Sequence, residues 1–265
     1  LEVDEVVLAI THRQTMSQEA FDALLTCREQ GRRVTTMPSL YERVLGRVPV
    51  EHAGRNLNAV LPIDEGNATE RLFWICKCVM DLLVGSCGLL ILGLLIPFVA
   101  LGQRLDSPGP LFYRQTRVGR GSRRFEVIKL RTMQPDAEQS TGAVWAATGD
   151  PRITRFGRWL RKSRLDELPQ VINVLRGEMS IVGPRPERPE FIDELARQIP
   201  FYRARLAVKP GLTGWAQVRF GYGSSVDDAR IKLEYDLYYI RHAGFYLDTL
   251  IALKTAAVML RLQGK

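Results

Sequence analysis

Hydrophobic and polar positions are spread unevenly along this chain, and one stretch stands apart. Leu82 to Leu101 is a run of 20 residues without a charge, most of them apolar. At a rise of ~1.5 Å per residue, such a run matches the hydrocarbon thickness of a bilayer. Pro97 lies inside it, where a ring nitrogen without a hydrogen bends or breaks a helix. Both flanks are basic, with Arg71 and Lys77 before the run and Arg104, Arg114 and Arg117 after it. Because Lys and Arg favour the cytoplasmic side, the two ends favour the same side. The pattern therefore predicts a re-entrant membrane helix over residues 72–101, broken at Pro97. Lys77 and Asp81, four positions apart, form a pairable set near the interface.

The remaining pattern is that of an ordinary mixed chain. Val3 to Ile10 is a short apolar run, Ser17 to Gln30 has helical spacing with Ser17 as its N-cap, and Val34 to Met37 reads as a returning strand. This is one β-α-β crossover within residues 1–65, too small to cover both faces of a sheet. No G-x-G-x-x-G turn follows its first strand, so no dinucleotide site is expected. Beginning at Leu1 rather than Met, the chain reads as a fragment cut at its N-terminus. From Pro151 to Arg164, Ile153, Phe156, Trp159 and Leu160 recur at helical spacing among six Lys/Arg residues, which predicts a basic amphipathic helix suited to an anionic membrane surface. Phe245 to Leu262 is apolar enough to pack on the bilayer or on the core, with Lys254 and Arg261 able to snorkel.

Composition narrows the partners. A net charge of +8 calls for anionic ones: lipid headgroups, nucleic acid or phosphorylated substrates. No helix-turn-helix, RNA-recognition or zinc-finger pattern accompanies the charge, so nucleic acid is not expected. Cys27, Cys76, Cys78 and Cys87 make no C-x-x-C pair, and His12, His52 and His242 are scattered. Neither a disulfide framework nor a zinc site is indicated.

Candidate chemistry centres on Asp166 and Glu167, which follow the basic run Arg161-Lys162-Ser163-Arg164. A carboxylate among cations stays ionised, can hold a divalent metal and can attack phosphorus. Asp before Glu-Leu-Pro is equally a helix N-cap, with Pro169 in the first turn. Helix N-termini collect anions, so either reading leaves room for a diphosphate and Mg²⁺ beside Asp166. Pro184-Arg185-Pro186 is a stiff loop presenting a guanidinium suited to phosphate. Lys209 to Gln217 is a second compact Gly/Pro loop, or simply the turn before a buried Trp215.

Taken in order, several motifs resemble the bacterial sugar transferase family, the monotopic phosphoglycosyl transferases. They are Lys77 with Asp81, Leu105-Asp-Ser-Pro-Gly-Pro110, Gln115 with Arg117-Val-Gly, Lys129-Leu-Arg-Thr-Met133, Arg164-Leu-Asp-Glu-Leu-Pro-Gln170, Gly183-Pro-Arg-Pro186 and Lys209-Pro-Gly-Leu-Thr-Gly-Trp-Ala-Gln-Val218. The resemblance covers residues 71–265. Residues 1–65, ending with Leu40-Tyr-Glu-Arg-Val-Leu-Gly-Arg-Val48, resemble the end of the Rossmann-like accessory domain of long-form members. The segments from Gly221 and Pro184 further resemble an exopolysaccharide subgroup associated with the PEP-CTERM system.

The resemblance implies a helix-rich α+β catalytic domain on the cytoplasmic face of a bacterial inner membrane, with interfacial amphipathic helices. It implies transfer of a sugar 1-phosphate from a UDP-sugar to polyprenyl phosphate, with release of UMP. Asp166 would form a covalent phosphosugar adduct and bind Mg²⁺, with Glu167 completing the dyad. Arg161, Arg185, Pro184, Pro186, Lys129 and Arg131 would contact substrate. The accessory fragment itself offers a natural contact surface for a homo-oligomer, whose state the sequence leaves open. Members commonly have Ser-Pro at the helix break, where this chain has Ile96-Pro97, so no hydroxyl is present there for a freed carbonyl. The rival expectation is a noncatalytic membrane-anchored scaffold for polysaccharide enzymes. The motifs do not name the sugar.

Overall fold

A computed structural model describes residues 3–9, 16–51, 68–135, 137, 150–221, 223 and 225–260. Residues 52–65 of the expected accessory fragment, His12, His52, Tyr222 and Ser224, and the chain from Arg261 onward lie outside the described residues.

The N-terminal unit is the crossover expected from sequence. Strand β1 (Glu5–Leu8) and strand β2 (Arg33–Thr36) pair in parallel, joined through helix α1 (Gln18–Glu29). Ser17 caps α1 by accepting from the Ala20 N–H. Helix α2 (Met37–Leu45) follows directly, capped by Thr36 and closed by Gly46 in the left-handed conformation, φ 65°. From there the chain joins the main body. The Trp215 indole donates to the Gly46 carbonyl at 2.7 Å, and Val48 and Val50 are buried in the largest core cluster.

The apolar run lies in helix α3 (Ala68–Asp106), 39 residues long. Helical structure continues through Pro97, and segments on both sides of it pack on the body. Leu90, Leu94, Phe98 and Leu105 are each more than 70% exposed, whereas Leu92 and Val99 are buried. Glycines on the inward face allow close approach of the body. A Cβ on Gly88 would press on Val171, and one on Gly102 would meet the Phe156 ring. Among the described residues this is the one helix long and apolar enough to cross a membrane.

The body is helix-rich α+β. Strands β3 (Phe112–Val118) and β4 (Arg124–Leu130) form an antiparallel hairpin. Helix α4 (Arg155–Lys162), a 3-10 turn over Leu165–Gln170 and helix α5 (Val171–Leu175) run against it. Asn173, fully buried, locks α5 to β4: its Oδ1 accepts from the Ile128 N–H, and its Nδ2 donates to the Glu126 carbonyl and to Glu178. Strands β5 (Ser180–Val182) and β6 (Gly211–Thr213) pair in parallel, with helix α6 (Pro189–Gln198) and a 3-10 turn over Tyr202–Ala207 between them. Helices α7 (Trp215–Arg219), α8 (Val226–Arg241) and α9 (Phe245–Leu260) complete the described residues. Leu233, Leu237 and Ile251, all at most 0% exposed, mark the centre of the main core.

Lys77 and Asp81 do not pair with each other as their spacing predicted. Lys77 forms an ion pair with Asp248 of α9 at 2.6 Å, and Asp81 accepts from the Ser180 hydroxyl and the Ile181 N–H. Burial of both groups against the body provides partners that outcompete a pair along the helix surface.

Candidate active site

The two adjacent carboxylates owe their placement to a sharp turn. Helix α4 ends at Ser163, and Arg164 takes a left-handed backbone, φ 56°, uncommon for a residue with a side chain. That turn swings the chain into the 3-10 segment containing Asp166 and Glu167. Asp166 is therefore not the N-cap that the local sequence predicted; Arg164 holds that position. The tight winding points the two carboxylates into different surroundings, Glu167 buried and Asp166 half-buried.

Glu167 is enclosed by cations. Arg185 donates to it from both terminal nitrogens, Lys129 Nζ is 3.6 Å away and Arg164 4.0 Å away. Burial opposes its ionisation, but Arg185, Lys129 and Arg164 outweigh that and hold its carboxyl well below the usual range. Asp166 is the opposite case. Burial and the Glu167 charge push its carboxyl up to about 6, against the pull of Lys129, Arg161 and Arg185. Among the described residues no hydrogen bond or ion pair reaches Asp166. Lys129 is pushed down to about 8, chiefly by burial, with Glu167 acting in the other direction. The buried Arg164 Nε also has no partner among the described residues. A half-buried carboxylate, left unbonded inside a ring of cations, is set up to meet an anionic ligand.

Most predicted site residues converge here. Arg185, Lys129 and Arg161 all act on the dyad, and the Arg161 Nε donates to Thr132 Oγ1 at 2.9 Å. Pro184 and Pro186 bracket Arg185 through their backbone: the Pro184 carbonyl accepts from the Gly211 N–H, and the Pro186 carbonyl from Arg117. The Arg131 guanidinium donates to the Pro110, Ser107 and Met133 carbonyls and to the Ser107 hydroxyl, bracing the loop after α3. Pro97 lies within α3. Sequence reasoning gave no role to Arg205 and Asp236, a buried ion pair at 2.8 Å whose arginine also reaches the Arg185 carbonyl. Each sits in sequence near other charges, Arg203 and Glu234, so the spacing gave no signal that they pair.

Among the described residues no group of three or more His, Cys, Asp or Glu side chains converges on a point. The donor set fits Mg²⁺ held by one carboxylate, that of Asp166, together with substrate phosphates, which is how this ion is commonly bound.

The description "Bacterial sugar transferase" matches residues 72–262. This chain belongs to the bacterial sugar transferase family. The site just described lies wholly within the matched region. The chain is 43% identical over 220 residues to the UDP-N-acetylgalactosamine-undecaprenyl-phosphate N-acetylgalactosaminephosphotransferase of Aeromonas hydrophila, covering 83% of this chain and 50% of that protein. It is 38% identical over 231 residues to the UDP-glucose:undecaprenyl-phosphate glucose-1-phosphate transferase of Xanthomonas campestris pv. campestris, covering 86% and 47%. A protein of the same name from Caulobacter vibrioides is 41% identical over 186 residues, 69% of each chain. This chain spans about half the length of the first two relatives.

Proposed function

We propose that this chain transfers a sugar 1-phosphate from a UDP-sugar to undecaprenyl phosphate, releasing UMP, as the first membrane step of exopolysaccharide or other surface-glycan assembly. The observation that carries the reading is Asp166: an unbonded, half-buried carboxylate among Lys129, Arg161 and Arg185, beside a Glu167 that is fully engaged. An Asp166 carboxylate oxygen attacks the β-phosphorus of the UDP-sugar. The bond from that phosphorus to the bridging oxygen breaks, and UMP leaves with the electron pair. A phosphate oxygen of the lipid then attacks the same phosphorus and displaces Asp166, which is regenerated. Lys129, Arg161 and Arg185 offset the accumulated negative charge, which otherwise repels one anion from another. Mg²⁺, when bound, neutralises diphosphate charge at Asp166. The names of the relatives support the donor and acceptor classes.

Membrane placement follows from the same reaction, because a soluble nucleotide sugar and a lipid phosphate meet only at an interface. A re-entrant α3 is supported by its two ends. Lys77 and Asp81 near the start, and Gln103 and Asp106 at the finish, all bond to the same body. A helix crossing to the far face would carry one end away from that body. On this reading the body lies on the cytoplasmic face of the bacterial inner membrane against anionic lipid, and the N-terminal unit offers a contact for a second copy.

Intact-protein mass spectrometry with Mg²⁺ and a panel of UDP-sugars, without lipid acceptor, tests the proposal. A sugar-phosphate mass gain in the wild type, absent in Asp166→Asn, is the expected result and names the donor. Turnover with lipid acceptor should fall by at least ~10³-fold in that variant. Full UMP release by Asp166→Asn, or silence of folded wild type towards every donor, would overturn it; the latter favours a scaffold.

A further inference from the structure

Three consecutive carbonyls of the loop carrying Arg185 are each gripped from a different part of the chain. The Pro184 carbonyl accepts from the Gly211 N–H at 2.8 Å, the Arg185 carbonyl from Arg205 Nη2 at 2.9 Å, and the Pro186 carbonyl from Arg117 Nη1 at 3.2 Å. Arg117 is itself held by Glu187 at 3.2 Å. Arg205 is the deepest of these anchors. It is 8% exposed, its Nη2 also bonds Asp236 of α8 at 2.8 Å, and its Nη1 bonds the Tyr202 hydroxyl at 2.8 Å. Asp236 is 1% exposed.

Burying an Arg-Asp pair is a poor way to add stability, since desolvation offsets most of the attraction. Here the pair has a directional consequence. With Asp236 setting the plane of the guanidinium, the remaining Nη2 hydrogen is aimed at a single backbone oxygen, that of Arg185. The same residue's side chain makes both hydrogen bonds to Glu167.

We infer that Arg205, oriented by Asp236, is a positioning residue for the transferase reaction: it fixes the backbone of Arg185 so that the Arg185 side chain engages Glu167 and leaves Asp166 unbonded. The inference rests on the reaction proposed above. Arg205 and Asp236 touch neither Asp166 nor Glu167, and they act through Arg185. Misplacement of a catalytic group by about 1 Å can cost ~10²-fold in rate, so the loss from releasing the loop should be of order 10- to 100-fold.

The test replaces the trio by apolar groups, Arg205→Met with Asp236→Leu and Tyr202→Phe, in the full chain in lipid. Such replacements commonly keep or raise stability. The expected variant melts within a few degrees of wild type but loses about 10- to 100-fold in kcat, with a smaller change in KM for the UDP-sugar. In an Arg185→Ala background the same replacement should cost less than about twofold, because its route of action is gone. Wild-type kcat in the apolar variant, or losses that multiply across the two backgrounds, would overturn the inference. If the apolar variant does not fold, Asp236→Asn carries the same comparison. Hydrogen exchange provides an arm independent of turnover: residues 183–188 should exchange faster in the variant while the β3–β4 hairpin is unchanged. Equal protection of the loop would sink the inference even with the reaction intact, whereas a silent wild type with a loosened loop would instead count against the proposed reaction.

Discussion

Asp166 and Glu167 are chain neighbours in one 3-10 turn, yet three cations bind one and no described group binds the other. The difference sets a pH dependence. In the proposed reaction Asp166, raised to about 6, can attack only above that pH, and Lys129, lowered to about 8, keeps its charge only below about 8. Adduct formation followed against pH should therefore be bell-shaped, rising through about 6 and falling through about 8, with bound cation moving the acid limb downward. Glu167→Gln removes the negative charge that raises Asp166, so its acid limb should shift to lower pH while turnover drops by roughly 10²-fold as Arg185 loses its anchor. An unchanged acid limb in that variant would show that Glu167 does not set the ionisation of Asp166. Arg131 belongs to a different category. Arg131→Lys leaves several of its part-buried acceptors without a donor, and thermal unfolding should register a loss of about 1–3 kcal/mol without a selective loss in chemistry.

At the level of elements, α3 is held by shape as much as by apolarity. Its outward residues give the expected lipid-facing surface, but its position depends on Gly85, Gly88 and Gly102, where α5 and α4 come too close for a side chain. Gly102→Val would drive a branched side chain into the Phe156 ring, which stacks on Trp159 with centroids 5.6 Å apart. The expected cost is about 1–3 kcal/mol, read as a lower melting temperature in lipid. The same change at Gly93, which has nothing within 4 Å of a Cβ, should be nearly silent. Equal effects at the two sites would mean that α3 does not pack on α4 as described. Much of this level was legible beforehand. Ser17 capping α1, the basic α4 and the apolar α3 follow from local spacing, whereas the continuation of α3 through Pro97 does not, because tertiary contacts on both sides hold the helix in place.

At the scale of the whole molecule, the N-terminal unit is not a mere appendage. Val48 and Val50, 1% and 2% exposed, fill the main core, the Val48 N–H bonds the Glu234 carbonyl, and Gly46 accepts from Trp215. A chain starting at Ala68 should lose roughly 3–6 kcal/mol from the two valines alone, whereas one starting at Met37 should keep them. Denaturant unfolding of the two truncations measures the difference; equal midpoints would show that the strap contributes nothing. Because Glu234 lies two residues before Asp236 on α8, the strap and the anchor of Arg185 share one helix.

Sequence by itself determined what is local in origin: the apolar run, the caps, the helical periods, and the motifs that brought Asp166, Glu167, Lys129, Arg161 and Arg185 under suspicion. Those depend on neighbours three or four residues away, which spacing records. Tertiary structure alone decided the roles. It set Arg185 on Glu167 from 18 positions away, turned Arg131 to a loop, divided Lys77 and Asp81 between Asp248 and β5, and placed the Arg205-Asp236 pair behind Arg185. Long charged side chains take whichever partner folding brings within about 3 Å, and burial makes leaving one unpaired costly. Those choices arise from packing between distant segments, and no local pattern encodes them.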